Sequence, residues 1–154
     1  MKNWGDIIVV KDGEWHAFDW SWANRRILDM LIGGLELAQR HINTFRRSDD
    51  RDFFGLIPPG GSGALIDLDR KRLLFFGDEL TDDVPNRRAL VALIAEVWDG
   101  FVVAWAYGGT RELAAYVGLD CAARDLEIRP TTIPTSDRYS PCHLVSVVGN
   151  DDDV

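Results

Sequence analysis

The chain has 154 residues and a formal net charge of −8 at pH 7. A chain of this length forms one domain and buries roughly two thirds of its unfolded surface without disulfides or metal ions, and its hydrophobic content of 46% excludes global disorder. The negative charge repels nucleic-acid phosphates and anionic lipid headgroups, so we expect no nucleic-acid and no membrane partner, and it favours encounter with a basic protein.

The first predicted element is a β-hairpin. Residues 7–10 are an apolar run, and residues 14–20 alternate between two faces. Asp12-Gly13 lies between them and tolerates the positive φ that a tight two-residue turn requires. We therefore expect the chain to begin with two antiparallel strands.

A helical region follows over residues 22–45. Its apolar stripe consists of Leu28, Leu31, Leu35, Ala38 and Ile42. Gly33-Gly34 interrupts this stripe, which leaves one bent helix or two helices meeting at a kink. Residues 46–52 are predicted to be a charged linker, and the proline- and glycine-rich residues 58–63 a loop.

A second hairpin is predicted from residues 64–68 and 72–76, and a further helix from residues 85–98. Pro85 suits the first turn of that helix, and Asp82 and Asp83 complement its dipole. The residues predicted to face inward are Leu90, Ile94, Val97 and Trp98.

The remaining chain is predicted to add a strand over 101–107, a short helix capped by Thr110 and ending at Gly118, and a last strand over 143–148. Residues 119–141 between them are predicted to be irregular. Residues 149–154 read as a turn whose partner strand is missing or as an acidic tail, so we expect a chain that has been cut short or that ends in a solvated tail.

Together these elements predict one α+β domain over residues 1–154, with a mainly antiparallel sheet of hairpins backed by two or three helices. The start of the chain lacks the apolar core of a signal peptide, and no apolar run is long enough for a membrane span. We therefore expect a cytoplasmic protein whose two cysteines, Cys121 and Cys142, stay reduced.

Residues 63–83 contain two pieces of a phosphoryl-transfer signature. Asp67-x-Asp69 follows an apolar strand, and Gly77-Asp78 precedes further acids, as in haloacid-dehalogenase-type phosphatases. In that family the two pieces belong to different parallel strands, whereas Asp78 follows Asp67 here by only eleven positions. A hairpin with Asp67 and Asp69 as charges on its rim explains this spacing better. A metal-dependent phosphatase-like enzyme or small-ligand binder that uses the carboxylates around Asp67 and Asp78 stays as the alternative.

Other catalytic signatures are missing from the sequence. Cys142 and His143 are adjacent in a predicted strand, so their side chains point to opposite faces. The three histidines show no zinc-ligand spacing, and the glycine-rich loops lack the Gly-Lys-Ser/Thr of a phosphate-binding loop. We accordingly predict no catalytic residue, no metal and no cofactor, and a protein that binds a partner rather than an enzyme.

Six tryptophans are many for this length, and they supply either core bulk or the anchors of a binding surface. Trp98 and Trp105 are predicted to be core residues, while Trp20 and Trp22 suit either role. The predicted protein-binding residues are Trp20, Trp22, Asp78, Glu79, Asp82 and Asp83. An acidic, single-domain protein without catalytic motifs is typical of an immunity protein that neutralises a toxin by direct binding, and this is the predicted function.

More than half of the chain resembles a group of small bacterial proteins from actinobacteria and related genomes. The shared segments are IDLDRKRLLFFG (66–77), PNRRA (85–89), WAYGGT (105–110), LAAYVG (113–118) and HLVSVV (143–148). The resemblance implies no particular activity. In that group the last strand commonly continues past a turn, which implies that this chain stops early.

Overall fold

The computed structural model describes residues 5–20, 26–48, 61–77 and 83–119, which form one six-stranded sheet and four helices. The strands are β1 (Gly5–Lys11), β2 (Glu14–Trp20), β3 (Arg46–Ser48), β4 (Ser62–Asp67), β5 (Arg72–Phe76) and β6 (Val102–Trp105). The helices are α1 (Ile27–Leu31), α2 (Gly34–Ile42), α3 (Val84–Val97) and α4 (Thr110–Tyr116).

The sheet is mixed, with the spatial order β3-β2-β1-β4-β5-β6. The pairs β1–β2, β2–β3 and β4–β5 are antiparallel, while β1–β4 and β5–β6 are parallel. The α+β class and both hairpins are confirmed, but the prediction of a sheet built mainly from antiparallel hairpins missed the two parallel contacts. The parallel pair β5–β6 is joined through α3, because a helical crossover returns the chain to the end of the sheet where the first strand began.

Helices cover both faces of the sheet, which explains why every residue of β4 is buried. Ile7 and Ile66 point to one face, where they pack with α1, α2 and α3. Ile8 and Leu65 point to the other face, where they pack with α4. Successive residues of a strand point to opposite faces of the sheet, so the apolar residues are divided between two cores.

The break between α1 and α2 is confirmed at the predicted glycines. Gly34 begins α2 with a φ of +77°, a value that L side chains rarely adopt. A Cβ atom on Gly34 would lie 2.9 Å from the carbonyl oxygen of Val97, so the glycine also allows α3 to approach this corner.

Trp98 is buried at that corner, which confirms its predicted place in the core. It is 1% exposed, and its Nε1 donates a 2.7 Å hydrogen bond to the carbonyl oxygen of Leu31. Trp105 is half-buried and packs edge-on against Phe75 with 5.4 Å between the ring centroids. The inward prediction is wrong for Val97, which is 43% exposed, whereas Ile94 and Trp98 are buried.

Three local predictions need correction. Arg46–Ser48, expected in a charged linker, forms the edge strand β3, since its backbone pairs with β2. Gly109 rather than Thr110 occupies the cap position of α4, and Thr110 is the first helical residue. The predictions for residues 120–141, 143–148 and 149–154 lie outside the described residues.

Candidate protein-binding surface

Of the predicted binding residues, the structure describes Trp20 and Asp83. Trp20, the last residue of β2, is in register with Gly5 of β1, which is in register with Ser62 of β4. Gly63, next in β4, is in register with Phe76 of β5. Trp20 and the end of β5 are therefore three strand spacings apart, roughly 14 Å. Trp22, Asp78, Glu79 and Asp82 lie outside the described residues.

Asp83 is the one predicted acid that the structure describes, and it has a structural partner. It is the N-cap of α3, and its carboxylate accepts a 3.2 Å hydrogen bond from the amide of Asn86. A carboxylate at this position also interacts favourably with the helix dipole. Asp83 therefore caps the start of α3, which confirms its predicted position beside the helix dipole.

Asp67 is buried, so its expected place as a charge on the hairpin rim is wrong. Its side chain is 1% exposed. Oδ1 accepts hydrogen bonds from the amides of Asp69 and Arg70, at 2.9 and 2.8 Å, and Oδ2 accepts one of 2.8 Å from the hydroxyl of Tyr116. These bonds fold the β4–β5 turn and attach α4 to it, because a buried carboxylate needs such donors.

Asp69 joins two turns that are far apart in sequence. Its carboxylate accepts hydrogen bonds from the amides of Asp12 and Gly13, at 2.9 and 2.8 Å. These two amide donors, first that of Gly13, lower the pKa of Asp69 below its ordinary value. The parallel β1–β4 register makes this possible, since it brings the turn after β1 beside the turn after β4.

Tyr116 completes this cluster, and its part in it was not predicted from the sequence. Burial raises the pKa of the Tyr116 hydroxyl, and its bond to the Asp67 carboxylate raises it further, so the hydroxyl stays protonated and donates. The guanidinium groups of Arg70 and Arg72 lie 5.8 and 5.9 Å from the centre of its ring. Among the described residues, no group of three or more His, Cys, Asp or Glu side chains is arranged to hold a metal ion.

Four large apolar side chains are exposed around the corner of α1, α2 and α3. We call this group the apolar patch, and its members are Ile32 (47% exposed), Leu37 (36%), Leu93 (42%) and Val97 (43%). Single exposed apolar residues are ordinary, but a group of them on one surface is typical of an interaction site.

Contacts at the corner of α1, α2 and α3 bring the members of the apolar patch together. Leu37 lies over Gly33, where an added Cβ would be 2.2 Å from its Cδ2. Gly34 meets the backbone of Val97, and Leu93 lies one turn before Val97 on the same side of α3. The members of the apolar patch therefore lie around the glycine pair that divides the two helices.

The charges beside the apolar patch differ in their pairing. On α2, Glu36 and Arg40 form an ion pair with each other. On α3, Glu96 is exposed directly before Val97 and has no ion-pair partner among the described residues. This surface was not predicted from the sequence, which gave Leu37 and Leu93 no role and placed Val97 in the core.

The part of the chain that the structure describes contains no helix with the length and apolarity that a membrane span requires. Comparisons of the chain with protein-family models, with curated proteins and with solved structures found no match.

Proposed function

We propose that this protein acts by binding another protein and does not catalyse a reaction. The observation that carries the proposal is the apolar patch, in which four large side chains remain at least 36% exposed around one corner of the fold. Burying such a group against a partner is favourable by roughly 25 cal/mol for each Å² of apolar surface removed from water. Interfaces commonly place apolar residues of this kind at their centre and polar residues around them.

The proposed partner is a basic protein. The net charge of −8 would attract it at long range, and Glu96 offers a carboxylate beside the apolar patch. In its sharpest form the proposal is an immunity-type protein that neutralises a basic toxin by covering it. In this proposal the acidic residues predicted from the sequence, Asp78, Glu79 and Asp82, add to the long-range attraction of the basic partner.

The hydrogen bonds of Asp67 weigh against the alternative of a metal-dependent phosphatase-like enzyme. A carboxylate nucleophile or metal ligand needs a free oxygen aimed at solvent or at a bound group. Both oxygens of Asp67 already accept hydrogen bonds within the fold, and the side chain is 1% exposed. Asp69 likewise holds the β1–β2 turn.

The test is affinity capture from the native cell lysate with the tagged wild-type chain and two variants. Leu93→Asp places a charge in the apolar patch, and Tyr107→Asp places the same charge at a residue that is 75% exposed and is not a member of it. We expect wild type and Tyr107→Asp to retain one stoichiometric basic protein that high salt releases. We expect Leu93→Asp to lose it.

The immunity form has its own measurement, which is co-expression of the captured protein with and without this chain. Relief of toxicity by the wild type and not by Leu93→Asp is the expected result. Equal capture by all three chains would contradict the role of the apolar patch, and retention of no protein by the wild type would contradict the binding proposal.

A further inference from the structure

We draw no further inference here: the strongest candidate, the cluster of exposed cations Arg70, Lys71 and Arg72 on the β4–β5 turn, belongs to the cluster around Tyr116 already described, whose two carboxylates offset that charge, so nothing in it selects a ligand.

Discussion

The carboxylate of Asp69 accepts a 2.8 Å hydrogen bond from the amide of Gly13, which lies 56 residues earlier in the chain. The bond connects the turns of the two hairpins, and it rests on the parallel pairing of β1 with β4. In the sequence Asp69 belongs to a motif that resembles a catalytic one. In the fold its carboxylate holds the turn between β1 and β2.

Replacing Asp69 by Ala should destabilise the fold at neutral pH, because the amides of Asp12 and Gly13 lose their charged acceptor. The pKa of Asp69 is lowered in the folded state, so its contribution is present above the ordinary value of 3.8 and is lost as the pH falls through the folded pKa. Urea unfolding of both proteins from pH 7 down to pH 3 measures this. A difference in stability that stays constant over that range would contradict the account.

Replacing Asp19 by Asn should have the opposite effect and raise stability at neutral pH. Burial raises the pKa of Asp19, with a smaller opposing effect of Arg46, and its Oδ1 is buried without a hydrogen-bond partner. The charged form is therefore disfavoured in the folded state. The advantage of Asn should disappear as the pH falls below 3.8, where the unfolded chain also binds the proton. Thermal unfolding at pH 7 and pH 3 decides this, and a variant less stable than wild type at pH 7 would refute it.

Replacing Tyr116 by Phe should cost about 1–2 kcal/mol of unfolding free energy, since Oδ2 of the buried Asp67 loses its hydroxyl donor. In the background of Asp67→Ala the same replacement should cost much less. A double-mutant cycle measured by urea unfolding gives the coupling directly. Additive effects of the two replacements would show that the 2.8 Å bond does not stabilise the fold.

Replacing Trp98 by Phe should cost about 1–3 kcal/mol, because the carbonyl oxygen of Leu31 loses its donor in a buried place. Trp98→Ala also empties the space of the ring and should cost about 3–5 kcal/mol. Equal unfolding free energies of wild type and Trp98→Phe would mean that the hydrogen bond contributes nothing.

Replacing Gly34 by Ala should be more costly than replacing Gly118 by Ala. Both glycines have a φ of +77°, but only at Gly34 would the new Cβ meet another atom, the carbonyl oxygen of Val97 at 2.9 Å. We expect about 1 kcal/mol for Gly118, from the left-handed backbone alone. The Gly34 variant must also shift α3, which adds to that cost. Thermal unfolding compares the stability of the two variants. A Gly34 variant as stable as the Gly118 variant would mean that the two helices can separate without cost.

The sequence predicted the elements whose signals are local. Asp12-Gly13 predicted the first hairpin, Gly33-Gly34 the break between α1 and α2, and Pro85 the start of the third helix. Each prediction rests on the backbone preferences of a few adjacent residues, which neighbours in space changed little.

What the sequence did not predict depends on residues that are distant along the chain. The parallel contact of β1 with β4 joins strands that are distant along the chain, and no short segment encodes it. Tyr116 reaches Asp67 across 49 positions. Leu93 was given no role from its spacing, and in the fold it is 42% exposed.

Site-specific photo-crosslinking in the native cells tests the central claim most directly. A photoreactive amino acid replaces Leu93 in one chain and Tyr107 in another, two residues that are 42% and 75% exposed. We expect the probe at position 93 to form one abundant adduct with a basic protein other than this chain, and the probe at the more exposed position 107 to form none of it. The same adducts from both positions, or no adduct from position 93, would contradict the claim that this protein acts by binding a partner at its apolar patch.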